Sequence, residues 1–259
     1  MNITTRKDRR IWVLISVLLV IAVLAFLSIF LGNMSIRVQA HSGDVFNSTC
    51  GMPTIDGNLS SLEWTNAATM TTQMVTGSAP PFTTTLHIMN SANYLYMGFT
   101  INDDEYTTKG EYLPEGDTFL TIFDNDNSGS VYELNNHVIA LSAGDPQYED
   151  RYIYNLPGSN DSDLVGGGTA DGEGAASRVG DLNHFEMKFP LCSGDTLDFC
   201  LHPSDIVGFR LEYLDAEGDG SFGSSQFFPG SSGTDEADIV IGACSTIPDL
   251  FIYLPLIRK

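Results

Sequence analysis

Basic residues are scarce in this chain. Lys and Arg together number 12 of 259 residues, against 33 Asp and Glu. Setting aside the first forty residues, with five bases and one acid, leaves seven bases against 32 acids, a net charge of −25. Such a surface repels nucleic acid and anionic lipid and attracts cations. Tryptophan is nearly absent, at two residues, Trp12 and Trp64. No CxxC spacing occurs, which removes zinc-ribbon and thioredoxin-like readings. No HExxH and no G-x-S-x-G occurs among the residues, and Gly166-Gly167-Gly168 has no following Lys-Ser/Thr to make a phosphate loop. No catalytic constellation stands out, so the chain reads as a non-enzyme. Beyond residue 40 no segment keeps a helical period over a useful length.

What is present begins with an export pattern. Arg6, Lys7, Arg9 and Arg10 precede the uncharged run Ile11–Gly32. A basic start and an apolar run make either a signal peptide or a membrane anchor. Val38-Gln39-Ala40 supplies a cleavage site before His41, whereas the length of the run suits a span. Both readings place residues 41–259 outside the cell, secreted or held at its surface, with membrane contact only through residues 11–32 if the segment is retained. The expected organisation is therefore a signal peptide or anchor over 1–40, a short leader over 41–49, a β-sandwich over 50–246 and an apolar tail over 247–259.

Four cysteines in an exported chain favour disulfides. The short segment CSGDTLDFC favours Cys192–Cys200, which leaves Cys50–Cys244 to clasp the two ends of the domain. Between them runs a series of short strand patterns. In Asn93–Asp103, Leu95, Met97, Phe99 and Ile101 alternate with Tyr94, Tyr96, Gly98 and Thr100. In Val207–Tyr213, Val207, Phe209, Leu211 and Tyr213 do the same. Phe119–Phe123 is continuously apolar but for one Thr, as a strand covered on both faces would be. Nine to eleven strands at this spacing predict an all-β fold, an antiparallel β-sandwich or jelly roll, preceded by one N-terminal hydrophobic helix. Glu105–Gly116 and Ser159–Asp181 read as long loops.

Two acidic turns space oxygen ligands at alternate positions. Asp124, Asp126 and Ser128 precede Gly129, and Asp215, Glu217 and Asp219 precede Gly220. Calcium takes several hard oxygens around a sharp turn, so these residues are candidate Ca2+ ligands. The twelfth positions are Asn135 and Gln226 rather than Glu, which excludes EF-hands.

Several motifs, in order, resemble the carbohydrate-binding module family 9-like (DOMON-like) group. They are Ile55-Asp56-Gly57 with Trp64 and Ala67, Tyr94-Leu95-Tyr96 with Asp103, Phe123-Asp124-Asn125-Asp126, and Glu186 with Pro190-Leu191. The resemblance implies a secreted, non-catalytic β-sandwich that binds extracellular or cell-wall glycan. Sugar-binding members sandwich a terminal sugar between two tryptophans. Trp64 lies in the opening motif and reads as core, so Tyr106, Tyr112 and Tyr132 are the candidate ligand-binding aromatics. The alternative is a calcium-stiffened structural or adhesive surface domain whose partners are other surface proteins.

Overall fold

A computed structural model describes residues 43–60, 62–76, 80–108, 116–144, 148–230 and 235–244. The stretch expected to be a signal peptide or anchor, the tail 247–259 and Tyr112 lie outside the described residues. Among the described residues no helix is long and apolar enough to cross a membrane.

The chain runs β1 (Val45–Asn47), β2 (Thr49–Cys50), β3 (Ala68–Met74), β4 (Phe82–Asn90) and β5 (Tyr94–Ile101). It continues through β6 (Thr118–Asp124), β7 (His137–Ser142), β8 (Tyr148–Asn155) and β9 (Ser159–Ser162), then a single helical turn α1 (Asp163–Gly166). The last strands are β10 (Glu173–Val179), β11 (Leu182–Pro190), β12 (Ile206–Ala216), β13 (Phe222–Phe228) and β14 (Ala237–Val240). They form two sheets. The first has the order β1-β14-β12-β6-β7-β8-β9, with β13 also on β12. The second has the order β10-β11-β5-β4-β2, with β3 also on β4.

The fold is the expected β-sandwich, with mixed rather than purely antiparallel sheets. β1 runs parallel to β14 and β2 parallel to β4. Part of the segment read as a leader is thus strand. One short stretch crosses from the first sheet to the second and completes an edge of each. Phe46 anchors it in the core, edge-on to Phe209 at 5.7 Å. The crossing point is polar: the Ser48 hydroxyl donates to Asn90 Oδ1 at 2.6 Å, and the Gly242 amide donates to Ser48 Oγ at 2.9 Å. A Cβ on Gly242 would lie 2.6 Å from the Ser48 carbonyl, so only glycine fits the seam. The Cys50–Cys244 disulfide closes the same seam, and Cys192–Cys200 closes the loop after β11.

The alternating residues fill the space between the sheets. Leu95, Met97, Phe99 and Ile101 of β5 face Phe119, Phe123, Phe209, Leu211 and Tyr213 of the first sheet, all fully buried. Phe99 stacks on Phe119 at 4.4 Å, and Phe123 meets Phe189 edge-on at 5.2 Å. Each buried aromatic contributes about 1.5–3 kcal/mol. The apolar run of β6 has a second cluster behind it: Ile122 packs with Val131, Val138 and Ile153 on the outer face.

A third cluster covers the outer face of the second sheet. Residues 51–67 form a lid whose Trp64 packs with Met89 and Tyr96. A Cβ on Gly98 would stand 3.2 Å from the indole, so that glycine admits the ring. The lid is fastened by Glu186, which points outward from β11 and is fully buried. Its carboxylate accepts Trp64 Nε1 at 2.8 Å, the Gly57 amide at 2.8 Å and the Asp56 amide at 3.0 Å.

The stretch Ser159–Asp181, expected as a loop, contains β9, α1 and β10. β10 reads EGAASRV and covers the core with Ala176 alone, so it shows almost no apolar alternation. β3 (ATMTTQM) gives the core Met74 with Met70 packed against it, and β13 (FGSSQFF) gives it Phe228.

Two stability predictions follow from this frame. Glu186→Ala strands two buried donors and one half-buried donor and lowers unfolding stability by about 3–5 kcal/mol in urea titration. A loss under about 1 kcal/mol would mean the lid is held by apolar packing alone. Replacing Cys50 and Cys244 together by Ala costs about 5 kcal/mol on the chain-entropy model, because 194 residues separate them. The same change at Cys192 and Cys200, eight residues apart, costs about half of that. Non-reducing unfolding curves of the two variants test the order.

Candidate functional site

A polar cleft with a volume of about 730 Å3 opens at one end of the sandwich. Asn102, Asp103 and Asp104 follow β5, Arg178 and Asp181 flank the β10–β11 turn, and Asp215, Ser224 and Gln226 come from the β12–β13 hairpin. The wall is pre-ordered. Arg178 donates to the Glu105 carbonyl at 2.7 Å, to Asn183 Oδ1 at 2.8 Å and to the Asp103 carbonyl at 3.2 Å. Tyr106 lines a separate pocket of about 320 Å3 with Glu105, Thr107, Thr108 and Gly218.

Under the cleft three carboxylates converge. Asp103, Asp117 and Asp215 each place one oxygen within 4.8 Å of the others, a spacing that could hold a metal ion. The Tyr213 hydroxyl donates to Asp103 at 2.6 Å, and the Thr107 and Ala216 amides donate to Asp117 at 2.9 and 3.1 Å. Burial nevertheless pushes Asp117 up to about 7, and the neighbouring Asp103 and Asp215 add to the shift. Burial and the charge of Asp103 push Asp215 up to about 6. Burial and the charge of Asp117 push the Tyr106 phenol up to about 12.

The residues expected to bind calcium are distributed differently from their sequence order. Asp215 joins Asp103 and Asp117, while Glu217 and Asp219 are exposed in the hairpin turn. Asp219 Oδ1 accepts the Ser221 amide at 2.9 Å. Asp124 is fully buried and turns its carboxylate onto its own loop, accepting the Gly129 amide at 2.7 Å and the Ser128 hydroxyl at 3.4 Å. Asp126 is exposed at the tip of that loop. Glu236 lies beside Asp124; burial and that neighbour's charge push it up to about 7. Tyr132 is half-buried on the outer face of the first sheet, with the Arg210 guanidinium 5.7 Å from its ring and Gly158 closing over it.

Sequence reasoning missed Asp103 and Asp117 as partners of Asp215, because three different strand ends bring them together. It also missed two groups that share Asp198: His137, Asp150 and Asp198, and Asp163, Asp195 and Asp198. The one local hint was the pair of aspartates inside CSGDTLDFC.

The raised carboxylates set a pH dependence. Asp117, Asp215 and Glu236 have folded-state values above the usual unfolded value of about 4. The folded state then binds more protons than the unfolded state between about 4 and about 7. The contribution of these three groups to the stability of the metal-free protein is fully present below about pH 4 and is lost as pH rises through about 6–7. Urea unfolding in chelator and high salt should show this decline, and Asp215→Asn should shrink it. A rising or flat profile across that window would contradict the assignment.

No protein-family model matches the sequence, and no curated protein matches it either. Solved structures do match. A carbohydrate binding module family 9 from Caldicellulosiruptor kristjanssonii in complex with cellotriose aligns with a TM-score of 0.55 and 13% identity, over 79% of this chain and 98% of that one. The module from the same organism in complex with glucose gives 0.55 and 13%, over 80% and 100%. A protein from Bacteroides uniformis ATCC 8492, provisionally named carbohydrate-binding, gives 0.52 and 8%, over 76% and 99%. These likenesses give no support to the DOMON label. At such identities the similarity is one of fold, and the fold of this chain is that of a carbohydrate-binding module of family 9 type.

Proposed function

We propose that residues 43–244 form an extracellular, non-catalytic carbohydrate-binding module that takes the end of a gluco-oligosaccharide in the polar cleft beside Tyr106. The observation that carries this reading is the fold, which spans the whole of modules solved with cellotriose and glucose. The chemistry of the cleft supports it. Sugar hydroxyls need donors and acceptors held in place, and Asn102, Asp104, Arg178, Asp181, Ser224 and Gln226 offer both around one opening. Arg178 is already braced by carbonyls, so little ordering entropy is lost on binding. Tyr106, with Tyr112 six residues on in the sequence, is the aromatic partner in this proposal. Two disulfides suit an oxidising, extracellular setting. Calcium is proposed as the ion of the Asp103–Asp117–Asp215 group and of the Asp124–Asp126–Ser128 turn, where it would stiffen the loops at each place.

Titration calorimetry with glucose, cellotriose and a broader glycan set tests the reading. Binding of a β-glucan oligosaccharide is expected, and Asp104→Ala or Tyr106→Ala should weaken it about tenfold, one lost charged hydrogen bond or stacking face. Asp104 is exposed, so its variant should keep the wild-type melting temperature. A folded protein that binds no glycan would overturn the sugar reading. One observation favours the second reading, a calcium-stiffened structural or adhesive domain that meets other surface proteins. Trp64, the one tryptophan among the described residues, is buried and bonded to Glu186, so it cannot serve as a sugar platform.

A further inference from the structure

At the far side of the first sheet lies a second acidic group, independent of the cleft and of the sugar reading. Asp163 begins α1, and Asp195 and Asp198 come from the Cys192–Cys200 loop. One oxygen of each lies within 4.8 Å of the others. Acidic residues often gather on a surface, and Asp195 and Asp198 are only half-buried, but Asp163 sets this group apart. Asp163 is fully buried, and neither of its carboxylate oxygens has a hydrogen-bond partner. A buried carboxylate without donors costs several kcal/mol, and other carboxylates close by add to that cost. While the group is ionised the neighbouring oxygens are acceptors only, so within it a hydrogen bond needs a bound proton, and a cation is the other way to offset the charge.

The surroundings are built to hold these acids in place. The Thr169 amide donates to Asp195 Oδ2 at 2.6 Å and the Leu197 amide to Asp195 Oδ1 at 2.7 Å. His137 is buried and donates Nε2–H to Asp150 Oδ1 at 2.8 Å, with Asp198 Oδ1 3.5 Å away. Asp150 Oδ2 accepts the Asp171 amide at 2.9 Å. Gly168 borders the gap: a Cβ there would stand 2.5 Å from Asp195 Oδ2 and 3.2 Å from Asp163 Oδ2.

We propose that Asp163, Asp195 and Asp198 form a binding site for a divalent, oxygen-seeking cation of the calcium type, with Asp150 and His137 positioning Asp198 behind it. Carboxylate oxygens at this mutual spacing surround an ion at 2.3–2.6 Å, the range calcium takes, and the irregular arrangement on two loops suits calcium better than the strict octahedron of magnesium. The bound ion would offset the orphan charge of Asp163. It would also staple the β9–β10 connection to the disulfide loop, two segments that meet through few other polar bonds. Asp171, Cys192 and Ser193 from those segments line a separate pocket of about 450 Å3 with Tyr94 and His202. The ion therefore holds two walls of that pocket together.

The test uses the full chain, stripped with chelator and titrated with CaCl2, and in parallel with MgCl2, by calorimetry and by thermal melting. Wild-type protein should bind calcium in preference to magnesium and melt at a higher temperature with calcium. Asp163→Asn keeps the shape and removes the charge. It should delete one calcium site, or weaken it about 100-fold, while its metal-free form melts above the metal-free wild type. Asp195→Asn, at a less buried position, should lose the same site. Asp215→Asn should retain it, which separates this site from the group under the cleft. Unchanged calcium number and affinity in both Asp163→Asn and Asp195→Asn would overturn the proposal, as would wild-type protein that binds no calcium. A blank glycan titration leaves these readouts unaffected.

Discussion

Burying a carboxylate is the costliest thing this chain does, and the way each cost is met organises the structure. A buried anion is tolerated only where donors or a cation face it. Glu186 is met by an indole and two backbone amides. Asp117 is met by the Thr107 amide and by the Ala216 amide at the end of β12, and Asp124 by the amides of its own loop. Asp103 is met by a buried phenol and Asp150 by a buried imidazole. Asp163 is met by no hydrogen bond at all. The same chemical problem thus has a structural solution at most positions and an open coordination set at one.

This view explains what the recognisable motifs do. The IDG stretch, Trp64 and Glu186 are far apart in sequence, yet they form one fastening that shuts the lid on the second sheet. Asp103 ties β5 to β12 through Tyr213, and Asp124 shapes the turn after β6. The motifs that carry the family likeness are therefore framework, and they report fold. A ligand would be read by different residues, in the cleft built from loop ends, where a fold supplies only the frame.

The same distinction governs what could be read along the chain. β5 and β12 are legible because one side of each faces the core and the pattern alternates strictly. β6 is legible because Phe119 and Phe123 serve the core while Ile122 serves a second cluster. β10 is nearly silent because it gives the core Ala176 alone, and β3 and β13 are weak because each gives the core little more than one large side chain, Met74 and Phe228. The crossing strands β1 and β2 are too short for any pattern and owe their place to edges left open by β14 and β4. Of the expected ligand residues, Asp215 reaches a shared site, Tyr106 lines a pocket, and Tyr132 is half-buried against Arg210 on the outer face of the first sheet.

By itself the sequence determined the class of fold, the interior faces of its strongest strands, the acid surface and a short disulfide loop, because each rests on local spacing or composition. Only the tertiary structure decided which acids meet. Asp103, Asp117 and Asp215 stand on three strand ends, and Asp163 reaches Asp195 and Asp198 across the β10–β11 hairpin. Charge repulsion and desolvation depend on distances through space, and no spacing along the chain encodes them.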